Sequence, residues 1–316
     1  MHSSFLLPFK INERPDSFSF TKPLLLLGSC FSDEIAERFR YGGFTVHANP
    51  MGTIFHPISI SRFLAFIMTE RDFPINHIVQ TPNYFGSWEA STVIRRESAE
   101  EINDYFQYVK QDWLIQLEQA SHLFITFGTS WGYVQNEYGM VANCHKFPST
   151  EFKKVLSTAE EIADEFRPVL KTLINRFPKL NIVFTVSPVR HVRDGLVENN
   201  QSKAELIRAV HRVCSASENC SYFPSYELII DVLRDYRFYK KDRVHPSEEA
   251  IDYVWDELLN THGNKELREQ LSQVYRFRKM ECHQLVSVSD SEKIAWNNRL
   301  NDERSKLIES IPLINL

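Results

Sequence analysis

Short apolar runs alternate with longer amphipathic segments along most of the chain. Five of the apolar runs have the length expected of buried strands. They lie at residues 24–27, 44–46, 122–127, 181–186 and 221–223. Between them, apolar positions recur at the three- and four-residue spacing of amphipathic helices. The predicted helices cover residues 33–39, 58–68, 99–118, 159–177 and 203–215.

This alternation predicts an α/β protein with a mainly parallel sheet between two layers of helices. Because the carboxyl ends of parallel strands meet at one edge, the small and polar residues that follow the strands should gather there. Two long connections, at residues 74–98 and 131–149, are expected to form the walls of a pocket at this edge.

The character of the sequence changes after residue 261, where charged residues become more frequent. Residues 265–278 and 292–310 read as polar helices rich in Glu, Lys, Arg and Gln. We therefore divide the chain into an α/β domain at residues 1–261 and a C-terminal helical extension at residues 262–316. We expect the extension to pack on the main domain or to form a homodimer, rather than to cap the site.

The first strand ends in Gly-Ser-Cys-Phe-Ser at residues 28–32, directly before a helix. Strand, tight turn and helix is the arrangement in which α/β enzymes present a nucleophile. Gly28 can adopt the backbone angles that such a turn needs. The N-terminus of the helix should favour the thiolate form of Cys30. An ordinary turn with a small buried cysteine is the alternative interpretation.

The sequence Asp-Arg-Val-His-Pro at residues 242–246 brings an acid close to a histidine. On one loop, Asp242 can hold one ring nitrogen of His245 and leave the other nitrogen to act as a base. Ser247 follows and can cap a new helix, so a capped helix entrance is the alternative.

These two blocks together resemble the SGNH/GDSL hydrolase superfamily, and within it the GSCFA family, named for its Gly-Ser-Cys-Phe-Ala block. Further stretches that resemble the same family lie at residues 49–53, 128–131, 141–146, 187–191 and 222–227. The resemblance implies a flavodoxin-like, three-layer α/β/α fold and an ester hydrolase with an acyl-enzyme mechanism. By the register of the superfamily, Cys30 is the nucleophile, Ser29 is its rival one residue away, and His245 and Asp242 complete the triad.

The resemblance also implies an oxyanion hole and a substrate pocket. The backbone N–H groups of Cys30 and Gly52 would hold the oxyanion, although simple turn geometry also explains Gly52. Ser130 stands where members of the superfamily usually carry an asparagine amide. Candidate substrate-binding residues come from the same blocks: Asn49, Trp131, Asn143, His145, Arg190 and His191. Aromatic and cationic residues of this kind suit a sugar or an anionic group.

The composition agrees with an enzyme of this class. The chain has 316 residues, of which 43% are hydrophobic and 24% charged, enough for one large α/β domain with an appendage. The net charge of -5 argues against a nucleic-acid partner. No apolar run approaches the length of a membrane span, and no signal-peptide pattern opens the sequence. Five irregularly spaced cysteines argue against disulfide frameworks and zinc fingers, so we expect a cytoplasmic protein without metal or cofactor.

The expected reaction is acyl transfer from an ester, and the expected substrate is an acylated carbohydrate or a small molecule. If water resolves the acyl-enzyme, the protein is an esterase, and if a glycan hydroxyl does so, it is an O-acyltransferase. A catalytically inactive glycan- or acyl-binding module is one alternative. An assembly protein that acts through its C-terminal helices is another. The Asp242–His245 pair favours an enzyme.

Overall fold

The computed structural model describes residues 6–215, 217–283, 286 and 289–316. Its strands are β1 (Leu24–Gly28), β2 (Val46–Ala48), β3 (Ile78–Gln80), β4 (Phe85–Ser87), β5 (His122–Phe127), β6 (Trp131–Gln135), β7 (Gly139–Val141), β8 (Phe152–Leu156), β9 (Asn181–Val186) and β10 (Cys220–Tyr222). Its α-helices are α1 (Cys30–Tyr41), α2 (Pro57–Met68), α3 (Ala99–Gln119), α4 (Ala159–Arg176), α5 (Leu196–Cys214), α6 (Ser225–Glu227), α7 (Glu248–His262), α8 (Lys265–Glu281) and α9 (Asp290–Ser310).

The central sheet has the order β10-β9-β5-β1-β2, and every pair of neighbouring strands in it is parallel. Numbered by their own succession, these strands run 2-1-3-4-5, which is the flavodoxin-like order. The predicted α/β/α fold is therefore confirmed. The direction of strand addition reverses beside β1, so the crevice at the carboxyl ends of β1 and β5 is the expected place for a ligand.

Side chains of β1 explain why both faces of the sheet are covered. Leu25 and Leu27 pack into an apolar cluster with α2, α3, α4 and α5. Leu24 and Leu26 pack on the opposite side, into a cluster that includes α1, α7 and α8. Because successive side chains of a strand point to opposite faces, a continuous run of leucines serves two helical layers at once.

Two antiparallel additions replace the long connections expected from the sequence. β3 pairs with β4, and β6 lies between β7 and β8 in a three-stranded sheet. Strands of three to five residues with mixed polarity give too few positions for an alternating pattern to stand out. The helix predicted from residue 203 begins earlier, at Leu196. The sequence did not reveal this start because the first turns of the helix are mostly polar and lack an apolar pattern.

The C-terminal helices pack on the α/β core. Leu267 and Leu271 of α8 are buried in the same cluster as Phe39 of α1 and Trp255 of α7. At the end of the chain, Asn315 N–H donates a hydrogen bond to the Gly43 carbonyl oxygen over 2.8 Å. The division after residue 261 and a homodimer through these helices stay predictions.

The amino edge of the sheet is closed by the segment that precedes β1. Asp16 Oδ2 lies 3.1 Å from His122 Nε2 and 3.1 Å from His262 Nδ1, and both imidazoles are 1% exposed. This clamp joins the N-terminal segment to the start of β5 and to the end of α7. No helix in the described part of the chain combines the length and the apolar composition needed to cross a membrane.

Candidate active site

The turn between β1 and α1 depends on Gly28. Its φ is +130°, and a Cβ atom there would lie 2.1 Å from the Thr126 carbonyl oxygen on the neighbouring strand. Only glycine avoids both the strained backbone angle and this close approach. Ser29 then occupies the N-cap position, and α1 begins at Cys30. The turn therefore places both candidate nucleophiles at the carboxyl edge of the sheet.

The two candidate nucleophiles differ in their surroundings. Ser29 is 1% exposed, and its Oγ has no hydrogen-bond partner among the described residues. Cys30 is partly exposed and carries a free thiol. Because Cys30 is the first residue of α1, its N–H belongs to the helical turn that lacks intrahelical acceptors. Of the two side chains, Cys30 is the more accessible to a substrate.

The electrostatic surroundings of Cys30 differ from the expectation of a thiolate at a helix N-terminus. Burial raises the pKa of the Cys30 thiol, and the carboxylates of Asp33 and Glu34 raise it further, whereas Lys203 lowers it. Burial and the two nearby negative charges disfavour the thiolate, although Cys30 lies at the start of a helix. Cys30 is therefore a protonated thiol near neutral pH and needs a base before it can attack.

Asn49 supports the turn from the loop after β2. Its Oδ1 accepts a hydrogen bond from Gly28 N–H at 2.8 Å, and its Nδ2 donates to Asp33 Oδ1 at 2.7 Å. The residue has a φ of +42°, a conformation that asparagine tolerates better than most residues. We expected Asn49 to contact the substrate, but both ends of its carboxamide are engaged within the protein.

The two further donors expected in the oxyanion hole are also engaged. Gly52 N–H donates to the Asn49 carbonyl oxygen at 2.8 Å. Ser130 is fully buried, with its N–H 2.8 Å from Ser202 Oγ and its own Oγ 3.3 Å from the Ser202 carbonyl oxygen. In this conformation neither group is offered to a ligand.

His245 and Asp242 form the predicted pair on the loop before α7. His245 Nδ1 lies 2.7 Å from Asp242 Oδ2. Asp242 Oδ1 accepts the N–H groups of Val244 and His245 at 2.9 and 3.1 Å. These backbone bonds and the imidazole lower the pKa of Asp242, so the carboxylate stays ionised. It can therefore hold Nδ1 protonated and leave Nε2 of His245 as the basic nitrogen.

Ion pairs hold this loop against the first helix. Lys240 Nζ lies 3.1 Å from Glu34 Oε1, and Arg38 Nη2 lies 2.5 Å from Glu248 Oε2 at the start of α7. On the other side, Arg190 Nη1 donates to the Arg243 carbonyl oxygen at 3.0 Å. The loop that carries the base therefore docks on the helix that begins with Cys30.

A cavity of about 420 Å³ opens beside this loop. Its lining includes Arg190, Arg234, Tyr226, Tyr236 and Tyr239. The Arg190 guanidinium lies 4.2 Å from the centre of the Tyr239 ring and 5.4 Å from that of Tyr236. Cationic and aromatic groups in one cavity suit sugars and anions.

The model of the GSCFA family matches residues 23–258. The chain belongs to the GSCFA family. The match begins just before β1 and ends within α7, so it contains the central sheet, Cys30 and the Asp242–His245 loop. The helices α8 and α9 lie beyond it. None of the curated proteins compared with this GSCFA chain matches it.

Solved structures similar to this GSCFA protein resemble it only distantly. A protein described as a GDSL-like lipase, from Parabacteroides merdae, is 14% identical with a TM-score of 0.38 and covers 79% of this chain and 99% of its own. A carbohydrate esterase of family 3 from Talaromyces cellulolyticus is 6% identical with a TM-score of 0.34 and covers 79% and 98%. An acetyl xylan esterase from the rumen bacterium Butyrivibrio proteoclasticus is 10% identical with a TM-score of 0.38 and covers 81% and 66%.

Three of the expected substrate-binding residues of this GSCFA chain hold other parts of the protein. His145 is 3% exposed, and its Nε2 lies 2.7 Å from the Ser87 carbonyl oxygen of β4. Asn143 accepts the His145 N–H at 2.8 Å through its Oδ1. Trp131 Nε1 donates to the Glu198 carbonyl oxygen at 3.0 Å. The His145 contact joins the loop after β7 to β4, and the Trp131 contact joins β6 to α5.

Arg190 and His191 lie closer to the predicted chemistry. Arg190 lines the cavity, and His191 is partly buried with no hydrogen-bond partner for its Nε2 among the described residues. Burial, together with Lys203 and His245, lowers the pKa of His191 to about 4. His191 is therefore neutral near pH 7, and it lies near enough to His245 for the two imidazoles to interact electrostatically.

Sequence reasoning missed Lys203, which lies within α5 and also lines the cavity. The available signal was its position three residues before Leu206 and seven before Val210, which are buried on the apolar face of this helix. A charged residue in phase with the apolar stripe of a helix is rare unless it is paired.

Proposed function

We propose that this GSCFA protein is an ester hydrolase that works by acyl transfer through Cys30, His245 and Asp242. The observation that carries the proposal is the ionised Asp242 held 2.7 Å from His245 Nδ1, on a loop docked against the helix that begins with Cys30. This arrangement prepares one imidazole nitrogen as a general base.

In the proposed first step, His245 Nε2 takes the proton of the Cys30 thiol while Sγ attacks the ester carbonyl carbon. The raised pKa of Cys30 makes this base necessary, because little thiolate exists before the substrate binds. The Cys30 N–H is the proposed oxyanion donor. Gly52 and Ser130 can join it only if they exchange their present hydrogen bonds.

In the proposed second step, the protonated His245 gives its proton to the leaving alcohol, and a thioester remains on Cys30. Water activated by His245 then releases the acid, which makes the protein an esterase. If a glycan hydroxyl attacks instead, the protein is an O-acyltransferase. The cavity with Arg190, Arg234 and three tyrosines supports an acylated carbohydrate or a small ester as substrate. A reducing, cytoplasmic location is part of the proposal because Cys30 must stay a free thiol.

A second candidate is a catalytically inactive glycan- or acyl-binding module. The specific observations in its favour are the occupied hydrogen bonds of Gly52 and Ser130 and the raised pKa of Cys30. Both would slow acyl transfer while leaving the cavity intact.

Hydrolysis of p-nitrophenyl acetate by the wild-type protein and three variants separates these candidates. We expect Cys30→Ala and His245→Ala to lose at least about 100-fold in kcat/KM. Ser29→Ala should retain most of the activity because its hydroxyl is buried away from the substrate. Turnover that survives in Cys30→Ala and disappears in Ser29→Ala would make Ser29 the nucleophile. No turnover in the folded wild type would favour the binding module.

A further inference from the structure

Lys203 is the most deeply buried cation near the candidate site. It is 1% exposed, and its ammonium group donates to the carbonyl oxygens of Gly128 at 2.6 Å and Ser187 at 2.7 Å. These carbonyls directly follow β5 and β9, so the ammonium group joins the carboxyl ends of the two central strands. An ammonium has three donors, and two of them are satisfied here.

Among the described residues, the partners of the Lys203 ammonium group are these two neutral carbonyl oxygens, and no carboxylate forms an ion pair with it. A buried ammonium without a negative partner is costly, because two neutral carbonyls replace only part of its hydration. Burial accordingly lowers the pKa of Lys203 to about 7, and Cys30 is the neighbouring group that raises it. A negative charge on Cys30 would therefore offset the free-energy cost of burying the Lys203 ammonium group.

The register of the sheet places the start of α1 and the Gly128 carbonyl that binds Lys203 at the same edge of the sheet. Gly28 is paired with Thr126 across β1 and β5. Cys30 and Gly128 each stand two residues beyond that pair, at the same edge of the sheet. Because neighbouring strands are about 4.8 Å apart, an ammonium group bound to the Gly128 carbonyl oxygen lies close to the start of α1.

We propose that Lys203 is a positioning residue of the active site, whose ammonium group, fixed by the Gly128 and Ser187 carbonyl oxygens, stabilises the thiolate of Cys30. The proton leaves Sγ for His245 Nε2, and Lys203 acts in its protonated form, which predominates below its pKa of about 7. The resulting negative sulfur is then balanced by a cation in a water-poor site, where charge pairs act strongly. This inference rests on the proposed role of Cys30.

Other charged groups face the same two side chains. Asp33 and Glu34 of α1 oppose a thiolate at Cys30. His191, whose pKa is lowered by burial and by Lys203 and His245, is neutral near pH 7 and adds no charge there. Lys203 is thus the cation that offsets the two acidic side chains.

The test is the pH profile of Cys30 alkylation by iodoacetamide, read by mass spectrometry on the peptide that contains Cys30. Lys203→Met should move the profile to higher pH by about one unit, which is about tenfold slower alkylation at neutral pH. Lys203→Arg should keep most of the wild-type profile. Lys110→Met is the matched control, because Lys110 is also buried and donates to a backbone carbonyl, that of Arg71, at 2.8 Å.

A folded Lys203→Met protein with the wild-type alkylation profile would overturn the inference. If Lys203→Met does not fold, Lys203→Gln replaces it in the same assay, because its amide can donate to the two carbonyl oxygens without carrying a charge. Lys203→Gln should show the same shift to higher pH, and a wild-type alkylation profile in this folded variant would overturn the inference. Alkylation needs no ester turnover, so a failure of the proposed hydrolase activity is seen separately in the p-nitrophenyl acetate assay.

Discussion

At the scale of residues, the candidate site depends on a few positions with little freedom. Gly28 allows the sharp turn, Asn49 holds that turn from the next loop, and Asp242 fixes the imidazole of His245. The sequence predicted the turn at Gly28 and the Asp242–His245 pair, and it predicted Asn49 as a substrate-binding residue. The hydrogen bonds of Asn49 to Gly28 and Asp33 were not predicted. A motif gives the identity of a residue, whereas the partners of an amide depend on which loops meet in the folded chain.

Gly28→Ala should cost at least about 3 kcal/mol of unfolding free energy, because it adds both backbone strain and a clash with the Thr126 carbonyl oxygen. Gly139→Ala is the matched control. Gly139 has a φ of +95°, but a Cβ atom there would meet only Arg62 Nη2 at 3.8 Å. The control should cost about 1–2 kcal/mol from the backbone angle alone. Urea unfolding measures both losses. Equal losses of unfolding free energy in the two variants would contradict a clash between a Cβ atom at residue 28 and the Thr126 carbonyl oxygen.

At the scale of elements, long strands and amphipathic helices were predictable, and short ones were not. The bounds of β5 and β9 agree with the apolar runs at residues 122–127 and 181–186, because strands buried on both faces need continuous apolar side chains. β2 was placed two residues too early, at 44–46. Phe44 is buried, but it packs against Phe20 before the strand begins. A buried residue just before a strand therefore looks like part of the strand in the sequence, although it takes no part in strand pairing.

The elements of the candidate site follow the same rule. The two family blocks, at residues 28–32 and 242–246, were recognisable because each is a continuous stretch of sequence. Lys203 was not recognised, because its partners Gly128 and Ser187 come from two other segments of the chain. Such a contact can be predicted only once the order of the strands in the sheet is known.

At the scale of the whole molecule, several histidines are buried in the neutral form. His56 is 4% exposed, and burial lowers its pKa to about 4. Burial also lowers the pKa of His122, which belongs to the clamp with Asp16 at the opposite edge of the sheet. When the folded pKa of a histidine lies below its unfolded value, the unfolded chain binds more protons as the pH falls below about 6.5. Acid therefore favours unfolding.

The free energy of unfolding should accordingly decrease from pH 7 to pH 5, with about 2 kcal/mol from His56 alone. Urea unfolding at a series of pH values measures this slope. His56→Asn removes the titrating group and keeps a residue suited to the N-cap of α2. It should make the pH dependence shallower. The same slope in this variant and the wild type would show that His56 is not the source.

In the proposed mechanism Cys30 carries the acyl group, and acid quenching of the wild-type protein during its reaction with p-nitrophenyl acetate should trap this intermediate. Peptide mapping by mass spectrometry then locates the acetyl group, and neutral hydroxylamine distinguishes a thioester from an oxygen ester. We expect one hydroxylamine-sensitive acetyl group on Cys30, absent from Cys30→Ala. An acetyl group on Ser29, or turnover without any acetylated Cys30, would contradict this mechanism.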